Sequence, residues 1–304
     1  MEIRTDLAIE AGEIFGKDNL PDGVKVQSQE GNNITITRID VINEEGEKAL
    51  NKKQGAYITI ELKDVELNTL EIHNEVAEAI DKELEPFIAK TGGRPSVMVV
   101  GLGNRYITPD ALGPKVVEKI VVTRHVQKLS GGSNDIDSRL GNLCAIAPGV
   151  MGVTGIETGE IILGLVEKVH PDIIIAVDAL AARKTSRINR TVQISDTGIV
   201  PGSGIGNRRM ELSEETLNIP VIAIGVPTVV DTLTLARDLI ENATGDSLRE
   251  NIEKDMLNSC GADNIVTPKN IDMAVARMAN AISNGLNMAV HKGFDFNDIS
   301  DYLL

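Results

Sequence analysis

Cysteine is nearly absent. The 304 residues hold two, Cys144 and Cys260, too few for a disulfide framework or for a zinc site of the usual spacing. Positive charge is short as well. Thirty Lys and Arg stand against 45 Asp and Glu, a net charge of −15, which excludes direct nucleic-acid binding as an expectation because phosphates would be repelled. No segment approaches the roughly 20 consecutive apolar residues that cross a bilayer, and no apolar run follows a basic start, so neither a membrane span nor a secretory signal is expected. The reading is a cytoplasmic protein. Aromatic residues make up 2%, with no Trp, while glycine reaches 28. That balance fits packed strands and helices joined by tight turns.

What is present is periodicity. Val24 to Ile42 alternates polar and apolar residues about Glu30-Gly31-Asn32-Asn33, a hairpin with a polar turn. Ala56 to Leu62 repeats the two-residue period, and Leu70 to Ala89 changes to helical spacing. After Gly92-Gly93 the pattern becomes the strand–helix alternation of a parallel sheet. Strands are expected at 96–100, 143–147, 172–177, 191–194 and 220–224. Helices are expected at 109–126, 156–169 with Thr154 as N-cap, 229–242 and 272–291. A Gly-rich loop lies around 202–206, and 245–267 is polar. The fold class is therefore α/β: a mostly parallel sheet flanked by helices, with an added N-terminal β-hairpin region.

Two acids occupy the positions where such sheets keep their chemistry. Val99-Val100-Gly101-Leu102-Gly103-Asn104 ends an apolar strand in a Gly-rich turn and leads to Thr108-Pro109-Asp110. Ile173 to Val177 is a second apolar run, ending in Asp178. Strand C-termini are where open α/β sheets bind ligands. Two carboxylates sheltered together do not both ionise cheaply, so one keeps a proton while the other acts as base. Asp110 also fits a first-turn helix cap behind Pro109; Asp178 has no turn chemistry to explain it.

Other readings are weaker. Gly101-Leu102-Gly103 lacks the third glycine of a dinucleotide fingerprint. Gly202-Ser203-Gly204 lacks the frame of a nucleophile elbow. Cys144 lies in a buried strand, and the histidines at 73, 125, 170 and 291 are scattered. No metal or cofactor is expected.

Longer runs carry a resemblance. Val100 to Asn104, Thr108-Pro109-Asp110-Ala111-Leu112-Gly113-Pro114-Lys115, Ala147-Pro148-Gly149-Val150-Met151-Gly152-Val153-Thr154-Gly155 and Ala176-Val177-Asp178-Ala179-Leu180-Ala181-Ala182-Arg183 resemble the germination proteases of spore-forming Firmicutes, as do Gln193 to Ile199 and Pro220 to Gly225. The resemblance spans about Arg4 to His291. It implies an atypical aspartic-type endopeptidase that starts the degradation of small acid-soluble spore proteins during germination. It implies a fold similar to hydrogenase maturation proteases, a self-processing zymogen, a homotetramer and residence in the forespore and spore core. The family's catalytic acids fall on Asp110 and Asp178. Its substrate pattern, an acid followed by a large apolar residue, Ala, any residue and Glu, is met by Asp6-Leu7-Ala8-Ile9-Glu10, so a cut between Asp6 and Leu7 is expected. Residues 1–6 would then be a pro-segment and 7–304 a single peptidase domain with a β-rich subregion at 22–65. Thr154 and Gly155, read as opening a helix, are candidate N–H donors to a developing oxyanion. Two alternatives stay open: a metal-dependent maturation peptidase, for which His291 is the only histidine after Asp178, and a non-enzymatic binding protein.

Overall fold

The computed structural model describes residues 5–13, 15, 20–63, 69–130, 137–202, 209–244 and 264–303. The expected hairpin is β1 (Val24–Glu30) and β2 (Ile34–Val41), and β3 (Gly55–Leu62) pairs antiparallel with β2. The apolar runs become β4 (Ser96–Gly101), β5 (Asn142–Ile146), β6 (Ile173–Ala182), β7 (Thr191–Ser195) and β8 (Val221–Asp231); a short β9 (Ile265–Val266) pairs with β8. All nine belong to one sheet, ordered β1-β2-β3-β7-β8-β6-β4-β5. Parallel pairing joins β5, β4, β6 and β8. The N-terminal strands extend this block through β7, which is antiparallel to both β3 and β8.

The helices are α1 (Ala8–Glu13), α2 (Glu44–Leu50), α3 (Leu70–Lys90), α4 (Leu112–Val117), α5 (Arg124–Ser130), α6 (Met151–Thr154), α7 (Thr158–Val169), α8 (Glu214–Leu217), α9 (Thr232–Thr244), α10 (Ile271–Val290) and α11 (Phe296–Tyr302). Strand alternation sorts the core into two faces. Val97, Val99, Ile173, Ile175 and Val177 pack with Val76, Ile80 and Leu84 of α3 and with Val275, Met278 and Ile282 of α10. Met98, Val100, Ile174 and Ala176 face Ile162 and Val166 of α7. With both faces covered, the central strands read as unbroken apolar runs. A third cluster gathers Leu7, Ala8 and Ile9 with Tyr57, Leu180, Ala182 and Val230.

Several boundaries differ from expectation. The helix expected over 109–126 is a 3₁₀ turn (Thr108–Asp110), then α4, then α5. Thr123 is drawn out between them: its N–H donates to Leu143 O at 2.9 Å and its hydroxyl to Gly141 O at 2.6 Å. Asn287 of α10 accepts the Val121 N–H at 2.9 Å. Bonds to neighbouring elements thus override helix continuation through a β-branched stretch. β6 does not end at Val177 but runs to Ala182, and β8 runs to Asp231. The final expected helix starts at Ile271, and α9 starts at Thr232, where the Asp231 carboxylate accepts the Thr234 N–H at 2.9 Å. The expectations for residues 203–206 and for most of 245–267 lie outside the described residues.

Candidate active site

The end of β4 is built for close approach. A Cβ on Gly101 would stand 2.2 Å from the Gly113 carbonyl oxygen, and one on Gly113 would stand 2.3 Å from the Leu102 carbonyl oxygen. Only a pair of glycines lets α4 press its first turn directly on the strand end. That contact carries Asp110, two residues before α4, over the crevice beyond β4. Gly103 has φ +102°, and a Cβ there would meet the Asp110 carbonyl oxygen at 2.1 Å. The Asp110 carboxylate, half-buried, accepts the Asn104 N–H at 2.8 Å. It therefore closes the turn behind it rather than capping α4.

Asp178 approaches from the adjacent strand. Gly101 is paired with Val177, and the Leu102 N–H adds a bond to Val177 O at 2.8 Å. The next residue of β6, Asp178, is 5% exposed. Its carboxylate accepts the N–H groups of Ala179, at 2.9 Å, and of Gly202. Asp178 is not a strand terminus: it sits mid-strand, where β6 has outrun β4.

The two acids lie within each other's field. Burial pushes the Asp178 carboxyl well above the usual range, and the Asp110 carboxylate adds like-charge repulsion; the Ala179 and Gly202 N–H groups oppose this, and the Asp6 carboxylate adds to it. Burial also raises Asp110, against the Asn104 N–H and the charge of Arg209. Chemically, the arrangement holds one buried acid beside a second that is more open, each accepting main-chain N–H groups.

Residues 5–10 lie across the same crevice. The Asp6 N–H donates to Ala181 O at 3.0 Å, and the Asp6 carboxylate accepts the Ala181 N–H at 2.8 Å. The Asp6 carbonyl oxygen accepts from Lys52 Nζ at 2.9 Å and Gln193 Nε2 at 3.1 Å, while Gln193 Oε1 takes the Ala8 N–H at 2.7 Å. Leu7 and Ala8 are fully buried. Glu10, also buried, accepts the N–H groups of Arg183 at 2.7 Å and Lys184 at 2.9 Å, accepts the Thr5 hydroxyl, and stands 3.4 Å from Arg187. Sequence reasoning singled out Asp6 and Leu7 but gave no role to Lys52, Arg187 or Gln193, the last of which entered only as the first residue of a family-like run.

Thr154 and Gly155 are placed differently from the reading that put them at a helix start. Thr154 ends α6, Gly155 follows with φ +73°, and Glu157 is the N-cap of α7. Their N–H groups donate to Val150 O at 3.0 Å and Met151 O at 2.8 Å, so in this conformation both donors are engaged. His291 is buried at the opposite end of the parallel strands, beside the start of β5. Its Nδ1 accepts the Gly141 N–H at 3.0 Å and its Nε2 bonds Val121 O at 2.9 Å. Among the described residues, no group of three His, Cys, Asp or Glu side chains is placed to hold a metal ion.

The model of the germination protease family matches residues 8–255 and 240–303. The chain belongs to the germination protease family. The germination protease of Clostridium tetani is 43% identical over 325 aligned residues, with all of both chains covered. That of Clostridium acetobutylicum is 44% identical, with 99% of each covered. The germination protease of Oceanobacillus iheyensis is 38% identical, with 99% of this chain and 97% of the relative covered. Among solved structures, a [NiFe] hydrogenase maturation protease, HycI of Thermococcus kodakarensis, aligns with 67% of this chain and 98% of its own at 18% identity and a TM-score of 0.32. The chain is thus a protease, a hydrolase of peptide bonds. No described helix is long and apolar enough to cross a membrane.

Proposed function

We propose that this protease opens the degradation of small acid-soluble spore proteins at germination, using Asp110 and Asp178 to activate a water molecule. The observation that carries the reading is the pairing of these two carboxylates beyond the end of β4, one of them held above its ordinary range by burial and, in addition, by the charge of the other. Between them the pair keeps one proton. Asp178, the more deeply buried, holds it; Asp110, more open and stabilised as a carboxylate by the Asn104 N–H, takes a proton from water. The oxygen of that water adds to the peptide carbonyl carbon. Asp178 then delivers its proton toward the leaving nitrogen. Each group thereby ends the bond-breaking step in the other's starting state, and return of one proton resets the pair.

The substrate follows from the family's pattern and from residues 6–10. Asp6-Leu7-Ala8-Ile9-Glu10 repeats the acid, apolar, Ala, any, Glu order and is held across the candidate site. We read it as the protein's own processing site, cut between Asp6 and Leu7, with residues 1–6 as a short pro-segment and 7–304 as the peptidase domain. A homotetramer acting in the forespore and spore core completes the proposal.

The test is to incubate the full chain with a small acid-soluble spore protein, with and without chelator, and to weigh both proteins by mass spectrometry. Cleavage after an acidic residue that survives chelator, with loss of residues 1–6, is the expected result. Loss of cleavage on chelation would move the account to a metal-dependent peptidase, and no cleavage of either protein would leave a binding role.

A further inference from the structure

Register places one more polar residue on the sheet face that carries Asp178. Asp178 of β6 is opposite Gly225 of β8, and Gly225 is opposite Gln193 of β7. Opposed residues share a face, so Asp178 and Gln193 rise from the same side of the sheet, two strands apart. The residue between them has no side chain. A Cβ on Gly225 would strike Leu180 at 2.3 Å, so the gap is floored by Leu180 and roofed by the chain at Asp6–Ala8, whose Leu7 packs in the same cluster. Lys52, half-buried, reaches the same spot from the loop after α2. Its ammonium lies 2.9 Å from Asp6 O and 3.4 Å from Thr5 O.

Gln193 and Lys52 thus converge on a single acceptor, the carbonyl oxygen of Asp6. We propose that Lys52 and Gln193 are catalytic residues that hold and polarise the carbonyl of the residue preceding the cut, forming the oxyanion site of the protease. This rests on the proposed cut between Asp6 and Leu7. Water oxygen bonds to the Asp6 carbonyl carbon, one water proton passes to a carboxylate, and the carbonyl electron pair moves onto oxygen, where the two donors face it. On collapse the C=O reforms, the C–N bond breaks, and the Leu7 nitrogen takes a proton from the other carboxyl. The acid before the cut is recognised in the same grip, because the Asp6 side chain accepts the Ala181 N–H. A half-buried cation beside a developing oxyanion acts more strongly than one in bulk water, because the surrounding dielectric is lower.

The experiment is self-processing of the full chain, followed by intact mass, in the unaltered protein and in Lys52→Met, Lys52→Arg and Gln193→Glu. Gln193→Glu keeps the acceptor for the Ala8 N–H and removes the donor. Processing slows about 100-fold in Lys52→Met and Gln193→Glu, the scale of a lost oxyanion donor, and Lys52→Arg recovers part of it. On a synthetic peptide of residues 3–13 supplied to protein beginning at Leu7, kcat falls while KM changes little. Unaltered processing rates, or a loss confined to KM, overturn the proposal in favour of simple docking. If both variants fail a thermal melt, the unaltered protein is given the same peptide with a thioamide at the Asp6 carbonyl. Slowed cleavage supports the donors and an unchanged rate removes them. Failure of the unaltered chain to lose residues 1–6 refutes the processing site itself, a different outcome from any of these.

Discussion

Replacing Glu10 by Gln should free the N-terminal segment from the end of β6. The carboxylate accepts two main-chain N–H groups at 2.7 and 2.9 Å, takes the Thr5 hydroxyl, and is 1% exposed. Gln is nearly isosteric but offers one oxygen, so its NH₂ must face either the Arg183 or the Lys184 N–H. One charge-assisted bond is lost, about 1.5 kcal/mol, and one part-buried N–H that faces the buried Glu10 side chain is left without an acceptor, about 1–2 kcal/mol. Arg187 keeps Glu61 at 2.8 Å and Glu13 at 2.5 Å, so its own cost is small. The sum, about 3 kcal/mol, corresponds to roughly a 100-fold rise in the open population of the segment. The central sheet is untouched, so the loss is local. Hydrogen exchange by mass spectrometry reads it directly: peptides covering residues 7–13 and 181–184 exchange about 100-fold faster, while β4 and α10 are unchanged. Exchange within about threefold of the unaltered protein would refute the view that Glu10 anchors the segment.

Three other outcomes follow from the same geometry. Gly113→Ala places a Cβ 2.3 Å from Leu102 O, so α4 must move off β4; the melting temperature falls by an amount equivalent to about 3 kcal/mol and peptidase activity is lost with it. Relative to the unaltered protein, Asp178→Asn gains stability as pH rises from about 4 toward neutrality. Burial and Asp110 raise the native carboxyl above its unfolded value, so the native state binds the extra proton and stability falls as pH rises from about 4 through the raised value. The relative gain of Asn therefore vanishes near pH 3 in urea titrations. His291 has the opposite sign: burial lowers it below its usual value, so its contribution is complete above about pH 6.5 and is lost as pH falls from there toward the lowered value. His291→Gln should flatten that part of the stability curve measured between pH 7 and 5.

The architecture was legible wherever one face or both faces of an element impose a period. The hairpin at 24–41, helix α3 and the apolar runs of β4 and β6 follow from that alone. Asp178 stood out because nothing local explained an acid after Ile173 to Val177. The continuation of β6 was hidden because Ala179-Leu180-Ala181-Ala182 favours helix by intrinsic propensity, and only the partner β8 and the bonded Asp6 hold it extended. Thr154 misled for a related reason: a four-residue helix closed by Gly155 leaves no periodic trace. Lys52 and Gln193 were illegible because their role exists only where the β6–β8–β7 register and the N-terminal segment bring them to one carbonyl oxygen.

The most direct measurement of the central claim compares peptidase rates of the unaltered protein, Asp110→Asn, Asp178→Asn and the double variant on one spore-protein substrate, with melts to confirm folding. If the two carboxylates act as one unit, each single change lowers kcat by about 1000-fold or more and the double variant is little worse than either. Full activity in a folded single variant, or losses that multiply in the double, would contradict the shared-proton account.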